Sequence, residues 1–378
     1  MVLASATARM CTCPNRFRNC VHIERLTMTD KSSTGTDAGR QHSTDITSGG
    51  IKSLAMGFWA SKVLLSAVEL GVFSELAKQP LPLDVLQGRI GIHPRGSRDF
   101  LDALVGLGML TREHGIYANT PETDAFLDPA KPGYIGGLLE HYNSRVYPLW
   151  GELTDMLRRG GRADDQAEAA DFFTMIYRDP ALLRGFMRAM SAWSNEAADA
   201  IAEKFPWARY SSFVDIGCAE GALAVKVAAR YPGLSGGGFD MPPVAPLFDD
   251  YVRAAGLGDR VRFYPGDFFV DPLPTADVLI LGHVLHDWGI SEKQALISKA
   301  YEALPPGGAL IINDVVIDDE RRENVAGMLI SLHMLVETKG GFDYTAAECR
   351  DWLEQAGFSQ SYVEPLVGPE SMIVAVKQ

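Results

Sequence analysis

The 378 residues carry 48 acidic against 35 basic side chains, a formal net charge of −13, with 47% hydrophobic and 22% charged residues. That length accommodates two or three domains, and the composition excludes a disordered chain. The acidic balance argues against phosphate-backbone binding as the main activity, so no nucleic-acid partner is expected. No uninterrupted apolar run reaches the roughly 18 residues of a membrane span, and five cysteines are too few for a disulfide scaffold. A cytoplasmic protein without a membrane partner is the expectation.

Residues 1–48 read as a disordered extension, ending in the polar stretch Lys31-Ser-Ser-Thr-Gly-Thr-Asp-Ala-Gly. Arg9, Arg16, Arg18 and Arg25 stand against one acid, Glu24, without the apolar core of a secretory signal. The spacing of Cys11, Cys13, Cys20 and His22 fits no common zinc finger, so no metal is expected. Met28 is read as the true start. Without residues 1–27, which contribute a net +3, the charge falls to −16.

Residues 49–125 follow as a winged-helix unit. Leu54, Phe58, Trp59, Leu65 and Val68 recur at helical spacing over 51–70, and Gly71 ends that helix. A short helix is expected at 73–77, then two helices beginning near Pro82 and His93, then a hairpin around His114-Gly115. Helix, turn, helix and hairpin make a winged helix. As a DNA reader it would need a basic face, yet across 81–120 Arg89, Arg95, Arg98 and Arg112 are cancelled by Asp84, Asp99, Asp102 and Glu113. Dimer packing is the better use.

Residues 126–208 read as a helical linker and pocket region. Its large side chains include Trp150, Phe173, Tyr177, Phe186, Met190 and Trp193, and spacing alone does not separate pocket from core.

Residues 209–378 alternate strands with helices. Strands are expected at 212–216, 234–239, 261–264, 276–281 and 309–313, with a final pair at 361–364 and 371–376. The fold class is α/β, a Rossmann-like doubly wound sheet, preceded by an all-helical winged-helix domain. Ligands in such sheets sit beyond the carboxyl ends of the strands.

The turn after the first strand of this region decides the cofactor class. A dinucleotide fingerprint would need glycine at 217, 219 and 222, but Ala219 and Ala222 break it, and no P-loop lysine is present. What remains is Asp215, a tight small-residue loop, Asp240 after the second strand and Asp267 after the third. A lone carboxylate is usually a cap or turn residue. Asp240 suits both hydroxyls of a ribose and Asp267, beside Phe268 and Phe269, an adenine; three at successive strand ends form a stronger signal.

The segments Val214-Asp-Ile-Gly-Cys-Ala-Glu-Gly221, Gly238-Phe-Asp-Met-Pro-Pro-Val244, Gly266-Asp-Phe-Phe269 and His283-Val-Leu-His-Asp-Trp288 resemble the S-adenosylmethionine-dependent small-molecule O-methyltransferases. The resemblance covers 51–377 and departs at Ala219, where the family has a glycine. It implies S-adenosyl-L-methionine as cofactor, held by Asp215, Gly217, Gly221, Asp240, Met241, Gly266, Asp267 and Phe268, with Tyr177, Trp193 and His283 as further contacts. It also implies a homodimer and a small-molecule methyl acceptor contacted by His141, Phe186, Met190, Trp193, His333 and Met334.

Moving a methyl group to a hydroxyl requires alignment and removal of a proton, and histidine has a suitable pKa. By the resemblance His286 is the general base, oriented by Asp314 and Asp343, with Asp287 as a structural alternative. Those two aspartates replace the longer glutamates of plant members. His283, on extended backbone, would face away from His286. The plainer reading of His286 is a helix-start histidine bonded to a carbonyl. S-methylation of a thioether, which needs no base, and a winged-helix ligand sensor are the competing functions.

Overall fold

The computed structural model describes residues 48–131, 133–161 and 172–378. The extension, the Met28 start and the Cys11, Cys13, Cys20 and His22 group lie outside the described residues. The chain divides into Met1–Ala55 and Met56–Gln378, and helix Gly49–Glu69 runs across that boundary. This helix is long and apolar enough to cross a membrane by length and composition. Phe58 and Trp59 on it are more than half exposed.

Helices Val72–Lys78, Leu83–Ile90 and Pro94–Gly106 and strands β1 (Leu81–Pro82), β2 (Leu110–Glu113) and β3 (Ile116–Asn119) build the winged helix. The unit is therefore not all-helical. Its three strands pair in the order β1-β3-β2, because the hairpin turn at His114 (φ 49°) and Gly115 (φ 80°) leaves β3 free to accept Leu81 opposite Tyr117. Phe73, Leu86, Leu101, Leu104 and Tyr117 form its core.

The second sheet has seven strands: β4 (Ser212–Ile216), β5 (Ser235–Asp240), β6 (Val261–Pro265), β7 (Val278–Gly282), β8 (Ala309–Asp314), β9 (Gln360–Pro365) and β10 (Ser371–Val376). Their order is β6-β5-β4-β7-β8-β10-β9, parallel from β6 to β8 and antiparallel at β10 and β9. The expected strands match these within two residues at each end. Strands β7 and β8 are apolar without alternation because apolar clusters pack on both faces of the sheet. The strand order reverses at β4, which opens a crevice at the carboxyl ends of β4 and β7. Helices Gly136–His141, Phe172–Arg178, Pro180–Lys204 and Val325–Glu337 each contribute side chains to its other side.

Candidate active site

A cavity of about 710 Å³ lies at that crevice. Its lining includes Asp215, Gly217, Asp240, Met241, Gly266, Asp267, Phe268, His283 and His286 from the sheet ends. His141, Tyr177, Phe186, Met190, Trp193, His333 and Met334 line it from the helices. Of the sequence-derived residues only Gly221, Asp314 and Asp343 are not in the lining.

Gly217 turns at φ 77°, and a Cβ there would sit 2.7 Å from Val284 Cγ2, so the chain needs glycine to leave β4 beneath the cavity. Gly221 also has positive φ and precedes helix Ala222–Arg230; a Cβ there would meet Phe248, and its neighbours Ala222 and Leu223 line the cavity. Between them Ala219 adopts φ 50°, a left-handed conformation costly for a residue with Cβ. Its N–H donates to Asp240 Oδ2 at 2.9 Å.

Asp240 Oδ1 accepts from Met241 N–H at 2.7 Å and from the Tyr177 hydroxyl at 2.9 Å. A carboxylate offers about four acceptor positions, so these contacts leave one for a ribose rather than two. Burial raises the Asp240 carboxyl to about 6 although those three hydrogen bonds oppose it, and burial beside Asp240 raises Asp215 to about 7. Asp267 Oδ1 accepts from Phe269 N–H at 2.8 Å, so this carboxylate is also the turn residue of its loop. Phe268 meets Trp288 edge to face at 5.8 Å, and Phe173 stacks on Trp288 at 5.8 Å.

His283 is not on extended backbone. It has φ 52°, and Leu285–Asp287 is a single 3₁₀ turn. The chain thus doubles back and sets the two imidazoles 5.6 Å apart, both facing Asp314. His286 Nδ1 lies 3.4 Å from Asp343 Oδ1 and 3.5 Å from Asp314 Oδ1, while Nε2 is 3.7 Å from Asp287 Oδ1. His286 Nδ1, Asp314 Oδ1 and both Asp343 oxygens make no hydrogen bond among the described residues, so the aspartates approach Nδ1 without hydrogen-bond geometry. Asp314 Oδ2 accepts from the Tyr344 hydroxyl. His283 Nε2 is 3.2 Å from Glu370 Oε2.

Burial depresses the His286 imidazole, but the carboxylates of Asp314, Asp287 and Asp343 reverse this and raise it to about 10. Burial pushes His333 the other way, to about 4, with His286 and Arg145 adding to the effect. His333 Nδ1 accepts from Trp150 Nε1–H at 3.4 Å, which leaves Nε2 as the protonated nitrogen of its neutral ring. His283, His286 and Asp314 each offer a ligand atom within 4.8 Å of one another, a spacing that also admits a cation.

Sequence reasoning did not assign Phe173, Trp288 or Glu337 to the cavity. Trp288 stood inside the His283–Trp288 motif, and that position was the available signal. Glu337 is buried, lines the cavity and pairs with Arg145 at 3.0 Å; nothing in its local sequence announced this.

The O-methyltransferase domain family matches residues 150–359, and the O-methyltransferase dimerisation domain matches 52–129. A tetracenomycin polyketide synthesis 8-O-methyl transferase of Streptomyces glaucescens is 44% identical over 330 residues, covering 87% of this chain and 96% of that one. An N,N-dimethyltransferase of Streptomyces rimosus, OxyT, is 36% identical over 86% of this chain and 95% of its own. Human N-acetylserotonin methyltransferase, solved with S-adenosylmethionine, superposes with a TM-score of 0.81 at 30% identity, covering 89% of this chain and 99% of that one. The chain belongs to the O-methyltransferase family. It is an S-adenosylmethionine-dependent methyltransferase. The cavity is compatible with that donor: its lining holds two buried carboxylates, Asp215 and Asp240, and a turn at Gly217 that leaves no room for a Cβ.

Proposed function

We propose that the protein methylates a hydroxyl on a planar, partly apolar metabolite of the polyketide or aromatic type, with His286 as proton acceptor. The observation that carries this reading is the setting of His286: at the wall of an aromatic cavity, with Nδ1 turned to Asp343 and Asp314. Bound S-adenosylmethionine supplies the methyl group and a neutral leaving group. Tyr177, Ala219 and Met241 hold the Asp240 carboxylate, and Asp215 favours a cation nearby. Phe173, Phe186 and Trp288 offer flat apolar surface to a ring. His286 takes the hydroxyl proton on Nε2 while Asp343 and Asp314 stabilise the imidazolium. Three carboxylates hold a proton on His286 in the free site, and the imidazole sheds it more easily with a cation beside it.

Incubation with methyl-labelled donor and a panel of phenols, naphthols and polycyclic polyketide phenols, read by mass, tests this. Label on a phenolic oxygen is the expected product, and label on nitrogen or sulfur alone overturns the reading. The 36% identity to OxyT favours an amine acceptor as the second reading. Attack by a neutral amine needs no base, so its turnover would survive loss of His286.

The dimerisation-domain match and the exposed Phe58 and Trp59 support a homodimer built through the first helix. The buried free thiols Cys218 and Cys349 support a reducing, cytoplasmic setting.

A further inference from the structure

One buried charge in the cavity wall has no task in the proposed reaction. Glu337, the last residue of helix Val325–Glu337, lines the cavity and is 6% exposed. Its Oε2 is held twice by one guanidinium: Arg145 Nε donates to it at 3.0 Å, and Arg145 Nη2 also stands 3.0 Å away. Its Oε1 is shut off from solvent and makes no hydrogen bond among the described residues. An arginine and a carboxylate commonly meet as two forks, one donor to each oxygen. Here both donors crowd onto one oxygen and the other is left unmet.

The backbone sets this pairing. Tyr142–Val146 is a π-helical turn between helices Gly136–His141 and Tyr147–Trp150, closed by the Tyr147 N–H on the Tyr142 carbonyl. Such wide turns are rare and often mark functional sites. This one lets Arg145 and Trp150, five residues apart, both reach the helix opposite: Arg145 meets Glu337, and Trp150 meets His333 at 3.4 Å. Ile330, His333, Met334 and Glu337 all line the cavity, and their spacing is that of a single helical stripe. Glu337 is thus the cavity-facing end of that stripe.

A buried carboxylate oxygen without a donor is costly, and a donor that reaches it removes the cost. The last torsion of a glutamate is soft, so the carboxylate can turn Oε1 to a group in the cavity. The surroundings decide what kind of group. Arg145 balances the charge of Glu337, and burial lowers both His141 and His333, which keeps those rings neutral. A corner without net charge, beside Phe186 and Met334, favours an uncharged O–H over an ammonium ion.

We propose that Glu337 is a specificity-determining residue: its unmet oxygen accepts a hydrogen bond from a second hydroxyl of the acceptor, one other than the hydroxyl that is methylated. The site therefore selects a ring with two hydroxyls over the monomethyl ether of the same ring. This inference rests on the reading of a hydroxylated ring as the acceptor.

The test compares each isomeric dihydroxynaphthalene with its monomethyl ether, which keeps one hydroxyl for methylation and turns the other group from donor into acceptor. With the wild-type chain, kcat/KM for at least one diol is expected to exceed that for its ether by about 10–100-fold. Glu337→Gln keeps a carbonyl for Arg145 and sets an amide N–H₂ where Oε1 stood, so this preference should vanish or invert. A merely structural ion pair would lower the melting temperature and the rates with diol and ether alike, leaving their ratio unchanged; that result overturns the proposal. Calorimetry on the wild-type complex with S-adenosylhomocysteine needs neither turnover nor the variant. At least one diol must bind about 10–100-fold more tightly than its ether. Equal affinities in every pair, or binding of none, overturn the proposal. Methyl label on no oxygen, in a protein that shows this difference in affinity, refutes the hydroxyl-methylation reading instead, so the two failures are separable.

Discussion

The two walls of the cavity are built on opposite electrostatic plans. The sheet-end wall gathers Asp215, Asp240 and Asp267, with Asp287, Asp314 and Asp343 around His286. The helix wall presents His141, Phe186, Met190, Trp193, His333 and Met334. Two histidines respond in opposite ways, His286 raised to about 10 and His333 lowered to about 4. Burial acts on both in the same direction, so the difference comes from the carboxylates around His286. The helix wall is mainly aromatic and apolar, with Arg178 and the buried Glu337 as its charged members.

The largest break in that contrast should come from His286→Ala. Hydroxyl methylation is expected to fall by about 10²–10⁴-fold, with S-adenosylhomocysteine affinity unchanged by calorimetry. Retained turnover would point to the amine reading.

Next in size are Asp343→Asn and Asp314→Asn, each expected to cost about 10–100-fold in kcat, as outer partners of a functional histidine typically do. Each also removes a negative charge from His286, so the imidazole titration should move down. An upward shift would contradict the assignment.

A third effect distinguishes the charged donor from its neutral product. Asp215 and Asp240, raised to about 7 and about 6, are ionised above those values and neutral below them. Affinity for the sulfonium should therefore weaken as pH falls from 7 to 5, by up to about ten-fold per unit for each group involved, while that for S-adenosylhomocysteine changes less. Equal pH dependence for both ligands would remove the electrostatic role of this wall. The same cation should lower the His286 titration relative to the S-adenosylhomocysteine complex.

On the helix wall, His333→Phe should raise the acceptor KM a few-fold and leave donor affinity alone. The smallest effect belongs to Ala219→Gly. Relief of a left-handed alanine is worth about 1–2 kcal/mol and is largely offset by the added freedom of glycine, about 0.5–1 kcal/mol. The melting temperature should rise by no more than about 3 °C, as calorimetry would reveal.

Much of the sheet-end wall was legible in the sequence because Asp215, Asp240 and Asp267 stand at or just after strand ends. A parallel sheet aligns its strand ends, so spacing in sequence became proximity in space. The winged helix was legible in outline for a similar local reason, its capped helices and its His114-Gly115 turn. Its third strand was not, since Leu81 and Pro82 pair only with a hairpin formed more than thirty residues later. Two residues of the helix wall were hidden for the same cause: Phe173 and Glu337 look like core residues of their own helices until those helices converge.

The sequence alone determined the order of strands and helices, the failure of the dinucleotide glycine pattern, and the family, because these depend on local patterns and on motifs fixed in register. Tertiary structure decided the rest. It reversed the chain after His283 so that both histidines meet Asp314, and filled most of Asp240's acceptor positions. It also drew Lys293 between two loops about fifty residues apart. The physical reason is that proton affinities and hydrogen-bond capacity depend on every charge and donor within a few ångströms, and the chain assembles those neighbours only on folding.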